Sequence, residues 1–172
     1  MQYLMKEGIL YNSESHTALV RMKSAIIGSQ KSIYEMSGNM LLETCIKNHD
    51  DSGDVRKHEY LMTKKDGKIV GTAHPDYAKG DEPDVTGWPI CRMPRVDHAS
   101  VTVLGRKYML IMHNNQNYSL SDTNSFEELS IMHKGISGGW LLEEHCNLPP
   151  EIICGIFAFC RYIEQDNEFL TV

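Results

Sequence analysis

The sequence lacks a hydrophobic run of membrane-spanning length. Its longest apolar stretch, residues 152–160, contains nine residues without a polar side chain. As an α-helix this stretch would extend only ~14 Å at 1.5 Å per residue, against ~30 Å of bilayer hydrocarbon. The apolar Tyr162 and Ile163, which follow Arg161, do not close this gap. We therefore expect no transmembrane segment.

Positive charge is also in short supply. The chain has 17 lysines and arginines against 23 aspartates and glutamates, a formal net charge of −6. General nucleic-acid binders normally carry a basic footprint, so this composition argues against that class of partner. It also argues against attraction of the whole surface to anionic lipid, whereas a local basic patch can still provide such attraction.

The motifs of common metal and catalytic sites are missing. Eight histidines occur, but none falls in a CxxC, HxH or HExxH pattern. Adjacent residues such as His145 and Cys146 would face opposite sides of a strand and could not chelate together. Cys91 has a neighbouring cation, but no GxSxG motif and no histidine partner accompany it. We expect no catalytic residue, no metal and no cofactor, and therefore a protein that is not an enzyme.

Cysteines are few and irregularly spaced. The five are Cys45, Cys91, Cys146, Cys154 and Cys160. On a helix, Cys154 and Cys160 would lie ~240° apart around the axis and could not pair with each other. The first residues show no basic segment followed by an apolar one, so we expect no signal peptide and a cytoplasmic location. In that reducing compartment all five are expected to be free thiols.

What the chain does contain is a succession of short β-prone runs separated by turn signals. The clearest hairpin joins residues 58–63 to residues 68–73 through Lys64-Lys65-Asp66-Gly67, whose Asp-Gly pair supplies the positive φ of a tight turn. A second joins residues 33–36 to residues 40–46 through Ser37-Gly38-Asn39. Further runs cover residues 3–11, 17–27, 100–104, 107–113, 118–121, 126–133 and 140–144. We expect one domain, residues 1–172, with roughly ten to thirteen strands in an antiparallel sandwich or barrel.

The section 74–95 differs from this pattern. It holds four of the six prolines and an acidic run, Asp81-Glu82-Pro83-Asp84. We interpret it as a long loop or insertion between two hairpin blocks, and a loop of this length in a compact domain is usually functional or mobile.

The C-terminal part predicts a helix over residues 151–165. Pro149 and Pro150 suit a helix start, and Glu151 places negative charge beside the N-terminal dipole. A helix without a polar face belongs in a protein core or a bilayer, and its length excludes the bilayer. The sequence therefore predicts a buried helix enclosed by strands, with Arg161 at the barrel mouth or beside a carboxylate. The core-facing residues of this helix are expected to be Ile152, Ile153, Ile156, Phe157 and Phe159.

Hairpins with glycine-centred turns that precede one final apolar helix resemble the Tubby C-terminal-like superfamily. Within it the chain is similar to the LURP-one-related proteins and their bacterial relatives, and more distantly to phospholipid scramblases. The segments that carry the resemblance are residues 34–41, residues 62–70 and the opening Tyr3-Leu4-Met5-Lys6-Glu7. The resemblance implies a mainly β fold, a closed antiparallel barrel of about twelve strands around a buried hydrophobic C-terminal helix.

The function implied is binding rather than catalysis. Tubby proteins bind phosphoinositide head groups, although their basic residues have no residue-by-residue counterpart here. Lys64, Lys65 and Lys68 share one hairpin tip and are the candidates for contact with anionic lipid, at about 1 kcal/mol each. The sequence thus predicts a non-catalytic barrel that binds a protein partner or anionic phospholipid through surface loops.

A second hypothesis is a small-ligand-binding or enzymatic barrel. Its site would lie under the 74–95 loop and would need a deep pocket lined by groups such as His98, Cys91 or Trp88. The two hypotheses differ in whether the helix fills the barrel, since a filled barrel leaves no ligand cavity.

Overall fold

The chain folds as a closed β-barrel around one long helix. The computed structural model describes residues 1–50, 54–81, 95–114 and 116–169. Within these ranges it contains twelve strands, two short 3-10 helices and one α-helix. The strands are β1 (Gln2–Lys6), β2 (Ile9–Asn12), β3 (Ala18–Ser24), β4 (Lys31–Glu35), β5 (Met40–Asn48), β6 (His58–Lys64), β7 (Ile69–Tyr77), β8 (Val96–Val103), β9 (Arg106–Asn114), β10 (Asn117–Asp122), β11 (Glu127–His133) and β12 (Trp140–Glu144). The 3-10 helices are Val55–Lys57 and Gly135–Ser137, and α1 is Pro150–Phe169.

Each strand pairs antiparallel with its neighbours in the sequence, and the first strand pairs with the last. Tyr3 of β1 lies opposite Leu142 of β12, which closes the barrel. Closure leaves no exposed strand edge, the usual liability of a sheet. The predicted antiparallel barrel of about twelve strands is confirmed.

The strands form because apolar side chains alternate with polar ones. In β8, Val101 and Val103 are buried, whereas Ser100 and Thr102 are exposed. This period of two places one set of side chains inside the barrel and the other in solvent. The inward set of all twelve strands lines the interior that α1 fills.

The helix occupies the barrel interior, as predicted. Ile152, Ile153, Ile156, Phe157 and Phe159 are each at most 3% exposed. Phe157 packs edge-on against Trp140 of β12 at 5.0 Å between ring centroids, and Phe159 packs against Tyr60 of β6 at 5.9 Å. These two strands lie on opposite sides of the barrel. Side chains on one helix thus meet opposite walls.

Because the strands run alternately up and down, the barrel has two distinct ends. We call the end where α1 begins the entry end; it carries the turns at residues 13–17, 36–39, 65–67, 104–105 and 123–126. We call the other the exit end; there α1 finishes near the turns at residues 7–8, 25–30 and 134–138. This division decides which surface residues can act together.

Three boundaries differ from the sequence predictions. The run 3–11 is two strands, because Glu7 and Gly8 both adopt positive φ, 51° and 76°, and form a two-residue turn. Residues 74–77, predicted as the start of a long loop, instead extend β7 along β8. Residues 166–169, predicted to lie beyond the helix, continue it. Most of the remaining 74–95 section falls outside the described residues.

Candidate functional site

The predicted lysine site lies at the entry end, on the tip between β6 and β7. Lys64, Lys65 and Lys68 are all exposed. The backbone N–H of Gly67 donates to the carbonyl of Lys64 at 2.9 Å, and Gly67 has a φ of 81°. The Asp66 carboxylate accepts from the backbone N–H of Lys68 at 3.0 Å. A short, internally bonded turn therefore presents the three ammonium groups to solvent.

A second basic tip lies directly beside the first. It joins β8 to β9 and carries Arg106 and Lys107, both exposed. The backbone N–H of Leu104 in this tip donates to the carbonyl of Val70 at 3.0 Å, so the two hairpins are hydrogen-bonded neighbours. We call Lys64, Lys65, Lys68, Arg106 and Lys107 the basic rim. The sequence indicated the two groups separately, but their adjacency depends on pairing between β7 and β8.

The charges of the basic rim are not neutralised by the protein. None of the five side chains forms an ion pair within the part of the chain that the structure describes. Asp66 is the one acidic residue on the two tips. The chain is acidic as a whole, but the surface around the basic rim has a positive electrostatic potential.

A small cleft opens on the other side of the lysines. Its volume is about 300 Å³, and it separates the tip of β4 and β5 from the tip of β6 and β7. The cleft is lined by Met40, Leu41, Leu42, Lys64, Lys65, Asp66 and Glu151. It combines an apolar floor with two cations, and Glu151 brings the first turn of α1 to the same place.

The exit end holds a buried polar cluster that sequence reasoning missed. Asp166 is 2% exposed, and its carboxylate accepts a hydrogen bond from the Tyr60 hydroxyl. Nδ1 of His58 lies 3.0 Å from the other carboxylate oxygen. This hydrogen bond is the main reason that the pKa of His58 is raised, and burial holds the pKa of Tyr60 well above its usual value. A buried carboxylate in this setting fastens the last turns of α1 to β6.

Other polar residues of α1 make similar attachments. Glu164 accepts from the Tyr118 hydroxyl of β10 and pairs with Arg161, whose guanidinium lies 5.4 Å from the centroid of the Trp140 ring. The expectation that Arg161 meets a carboxylate is confirmed. The Asn167 side chain accepts from the backbone N–H of Val96 at 2.8 Å and donates to the carbonyl of the same residue at 3.0 Å. These contacts satisfy polar groups that would otherwise be buried alone.

The residues of the second hypothesis are not brought into one described pocket. Cys91 and Trp88 lie outside the described residues. His98 lies on β8, with Nδ1 2.6 Å from Oδ1 of its neighbour Asp97. A cleft of about 680 Å³ lies instead along β8 and β9, where its lining includes Ser100, Thr102 and Met109. A site under the 74–95 loop therefore stays a prediction.

The described residues contain neither a metal-binding group nor a membrane-spanning helix. No group of three or more histidine, cysteine or acidic side chains is arranged to hold a metal ion. No helix in the same part of the chain is long and apolar enough to cross a membrane.

Comparisons with protein-family models, with curated proteins and with solved structures found no match to this chain.

Proposed function

We propose that this protein is a non-catalytic, cytoplasmic β-barrel that binds anionic phospholipid through the basic rim. The observation that carries the proposal is the set of three exposed lysines on one rigid tip, without ion-pair partners among the described residues, beside a second basic tip. The likeness of the hairpin pattern and final helix to the Tubby C-terminal-like superfamily supports the same class of ligand.

Electrostatics favours a membrane surface as the ligand of this rim. Lysine and arginine near an anionic leaflet contribute about 1 kcal/mol each, and the attraction falls off within about 10 Å at moderate salt. Adjacent tips at one end of a barrel approach a flat surface together, so their contributions add. The filled interior leaves surface loops as the place for binding, because α1 occupies the space that a small ligand would need.

The test is co-sedimentation with vesicles of phosphatidylcholine that contain either phosphatidylserine or a phosphoinositide. The triple variant K64Q/K65Q/K68Q is expected to bind these vesicles about 100-fold more weakly, because three contributions of about 1 kcal/mol are removed. Wild-type binding should weaken as salt rises. Equal partitioning onto charged and uncharged vesicles would sink the proposal.

A matched control separates the site from the net charge. K6Q/K47Q/K57Q removes the same three charges from exposed lysines at the exit end. Its binding should equal that of the wild type. If both triple variants lose binding equally, the attraction belongs to the whole molecule and not to the basic rim.

Two alternative functions are distinguished from lipid binding by other observations. A protein partner is favoured if the wild type ignores charged vesicles while the basic rim is still needed for activity in cells. A small-ligand or enzymatic barrel would need a pocket at residues 74–95, with His98 at its edge.

A further inference from the structure

The tip between β8 and β9 contains a leucine in an unfavourable backbone conformation. Leu104 has a φ of 50° and Gly105 a φ of 79°, so both central residues of a two-residue turn lie in the left-handed region. Turns of this type favour asparagine, aspartate or glycine at the first position. Bulky side chains seldom adopt this conformation, which crowds Cβ against the backbone. Leucine is therefore not the residue that would make this turn most stable.

Leu104 gains little burial in return. It is 51% exposed, and Ile69 on the adjacent tip is 55% exposed. The N–H of Leu104 donates to the carbonyl of Val70, and this bond joins the two tips that carry both apolar side chains and the cations of the basic rim. Departures from local preference at such a surface position tend to mark functional sites.

We propose that Leu104 and Ile69 insert into the interfacial layer of an anionic bilayer while the basic rim lies at the level of the phosphates. The inference rests on the proposed function and names the face that meets the membrane. Interfacial binding combines buried apolar area with attraction to anionic lipid, and this surface has both within two neighbouring tips. The side of the entry end that carries these two tips then faces the bilayer.

Local charge and backbone conformation together select these two tips. Residues 64–68 and 104–107 carry five cations against the single carboxylate of Asp66. The other turns of the entry end carry carboxylates such as Glu14, Glu35 and Asp122, so the membrane face is this pair of tips and not the whole end. The exit end also exposes the apolar side chains of Ile26, Ile27 and Ile136, but none of these three residues has a positive φ.

The first test uses Leu104→Asn, which suits the left-handed conformation better than leucine. The variant is expected to melt at a higher temperature than the wild type and to bind phosphatidylserine-containing vesicles roughly five- to tenfold more weakly. Ile136→Asn, an equivalent change at the exit end, should leave binding unchanged. This pairing excludes misfolding as the cause, since the weaker binder is the more stable protein.

A second measurement reports depth directly. Tryptophan at position 104, in Leu104→Trp, should be quenched by phosphatidylcholine with brominated acyl chains, whereas tryptophan in Ile136→Trp should not. The wild type provides the background from its two native tryptophans.

The outcomes distinguish the two proposals. If the lysine triple variant loses binding while L104N binds like the wild type and the tryptophan at 104 is not quenched, insertion is wrong and the electrostatic function stands. If the wild type does not bind charged vesicles, both are wrong. Loss of binding in I136N, with L104N unaffected, would place the membrane face at the exit end and overturn the inference.

Discussion

Gly155 of α1 faces the Met62 side chain of β6 inside the barrel. A Cβ atom added there would lie 2.3 Å from Cε and 2.8 Å from Sδ of Met62, which is fully buried. We expect Gly155→Ala to lower the free energy of unfolding by about 1–3 kcal/mol, because overpacking outweighs the gain of about 1 kcal/mol in helix propensity. Urea denaturation measures this change.

The matched experiment is a double-mutant cycle with Met62→Ala. If the two side-chain positions compete for one space, the double variant should be more stable than the sum of the single changes implies, by about 1–2 kcal/mol. Strict additivity would mean that Gly155 and Met62 do not meet in solution.

His58 predicts a specific dependence of stability on pH. Its pKa is raised chiefly by the hydrogen bond to Asp166, and Asp54 and Asp50 also favour the charged form. A histidine whose folded pKa exceeds its unfolded value of about 6.5 contributes stability that is fully present below that value and lost as pH rises through the folded pKa. We therefore expect the free energy of unfolding to fall as the pH rises above about 6.5, a loss that His58→Gln should largely remove.

This prediction can be checked by denaturant titrations of both proteins at each pH. An equal slope in wild type and H58Q would assign the effect to another group. The nuclear magnetic resonance titration of the His58 ring supplies the independent check, since its midpoint should lie above the usual histidine value of about 6.5.

At this scale the sequence predicted the buried apolar residues of α1 and a carboxylate partner for Arg161, but not the other polar contacts of the helix. Asp166 follows Phe159 and Tyr162 at helical spacing and so continues a buried face. This spacing indicates burial of Asp166, but the charge of an aspartate favours the opposite prediction, a solvent-exposed side chain. Its partners His58 and Tyr60 are more than a hundred residues away, at separations of 108 and 106. No local pattern reveals such a pairing.

At the scale of elements, the burial of α1 predicts the reactivity of its thiols. Cys154 and Cys160 are fully buried, and burial raises the pKa of Cys154 to about 12 and that of Cys160 well above its usual value. Because the thiolate is the reactive form, neither should be alkylated in the native protein. Peptide mapping after iodoacetamide treatment should find both unmodified until denaturant is added.

The partly exposed Cys45 is the internal comparison. It should be modified well before the two helix thiols, even though burial also raises its pKa. Labelling of Cys154 at the rate of Cys45 would show that α1 leaves the barrel readily. The four described cysteines are free, as predicted; Cys91 lies outside the described residues.

The hairpins were predictable where turn chemistry is explicit and not elsewhere. Asp66 and Gly67 mark their turn plainly, whereas Glu7-Gly8 lies within the β-prone run 3–11, where only the single glycine indicated a turn. Pro75 also misled the prediction, since proline lacks the N–H that a central strand needs. Proline is tolerated at this position because the pairing of β7 with β6 ends before it, at Ala73 opposite Tyr60. On its other side β7 pairs with β8, where Pro75 lies opposite Ala99.

At the scale of the whole molecule, the sequence predicted the barrel and its filled interior but not the orientation of its ends. The lysines of one tip and the pair Arg106 and Lys107 are about forty residues apart in the chain, and the antiparallel neighbours β7 and β8 bring them together. The basic rim is therefore a property of topology. Any surface function that depends on it requires β7 and β8 to be paired.

The order of the elements along the chain has a consequence for biosynthesis. β1 emerges from the ribosome first, but its partner β12 ends at Glu144, and the apolar filling arrives only with residues 152–163. Until then, twelve strands with inward-facing apolar side chains have nothing to enclose. The barrel must therefore remain incompletely folded until α1 has been translated, and its inward-facing apolar side chains are exposed to aggregation during that time.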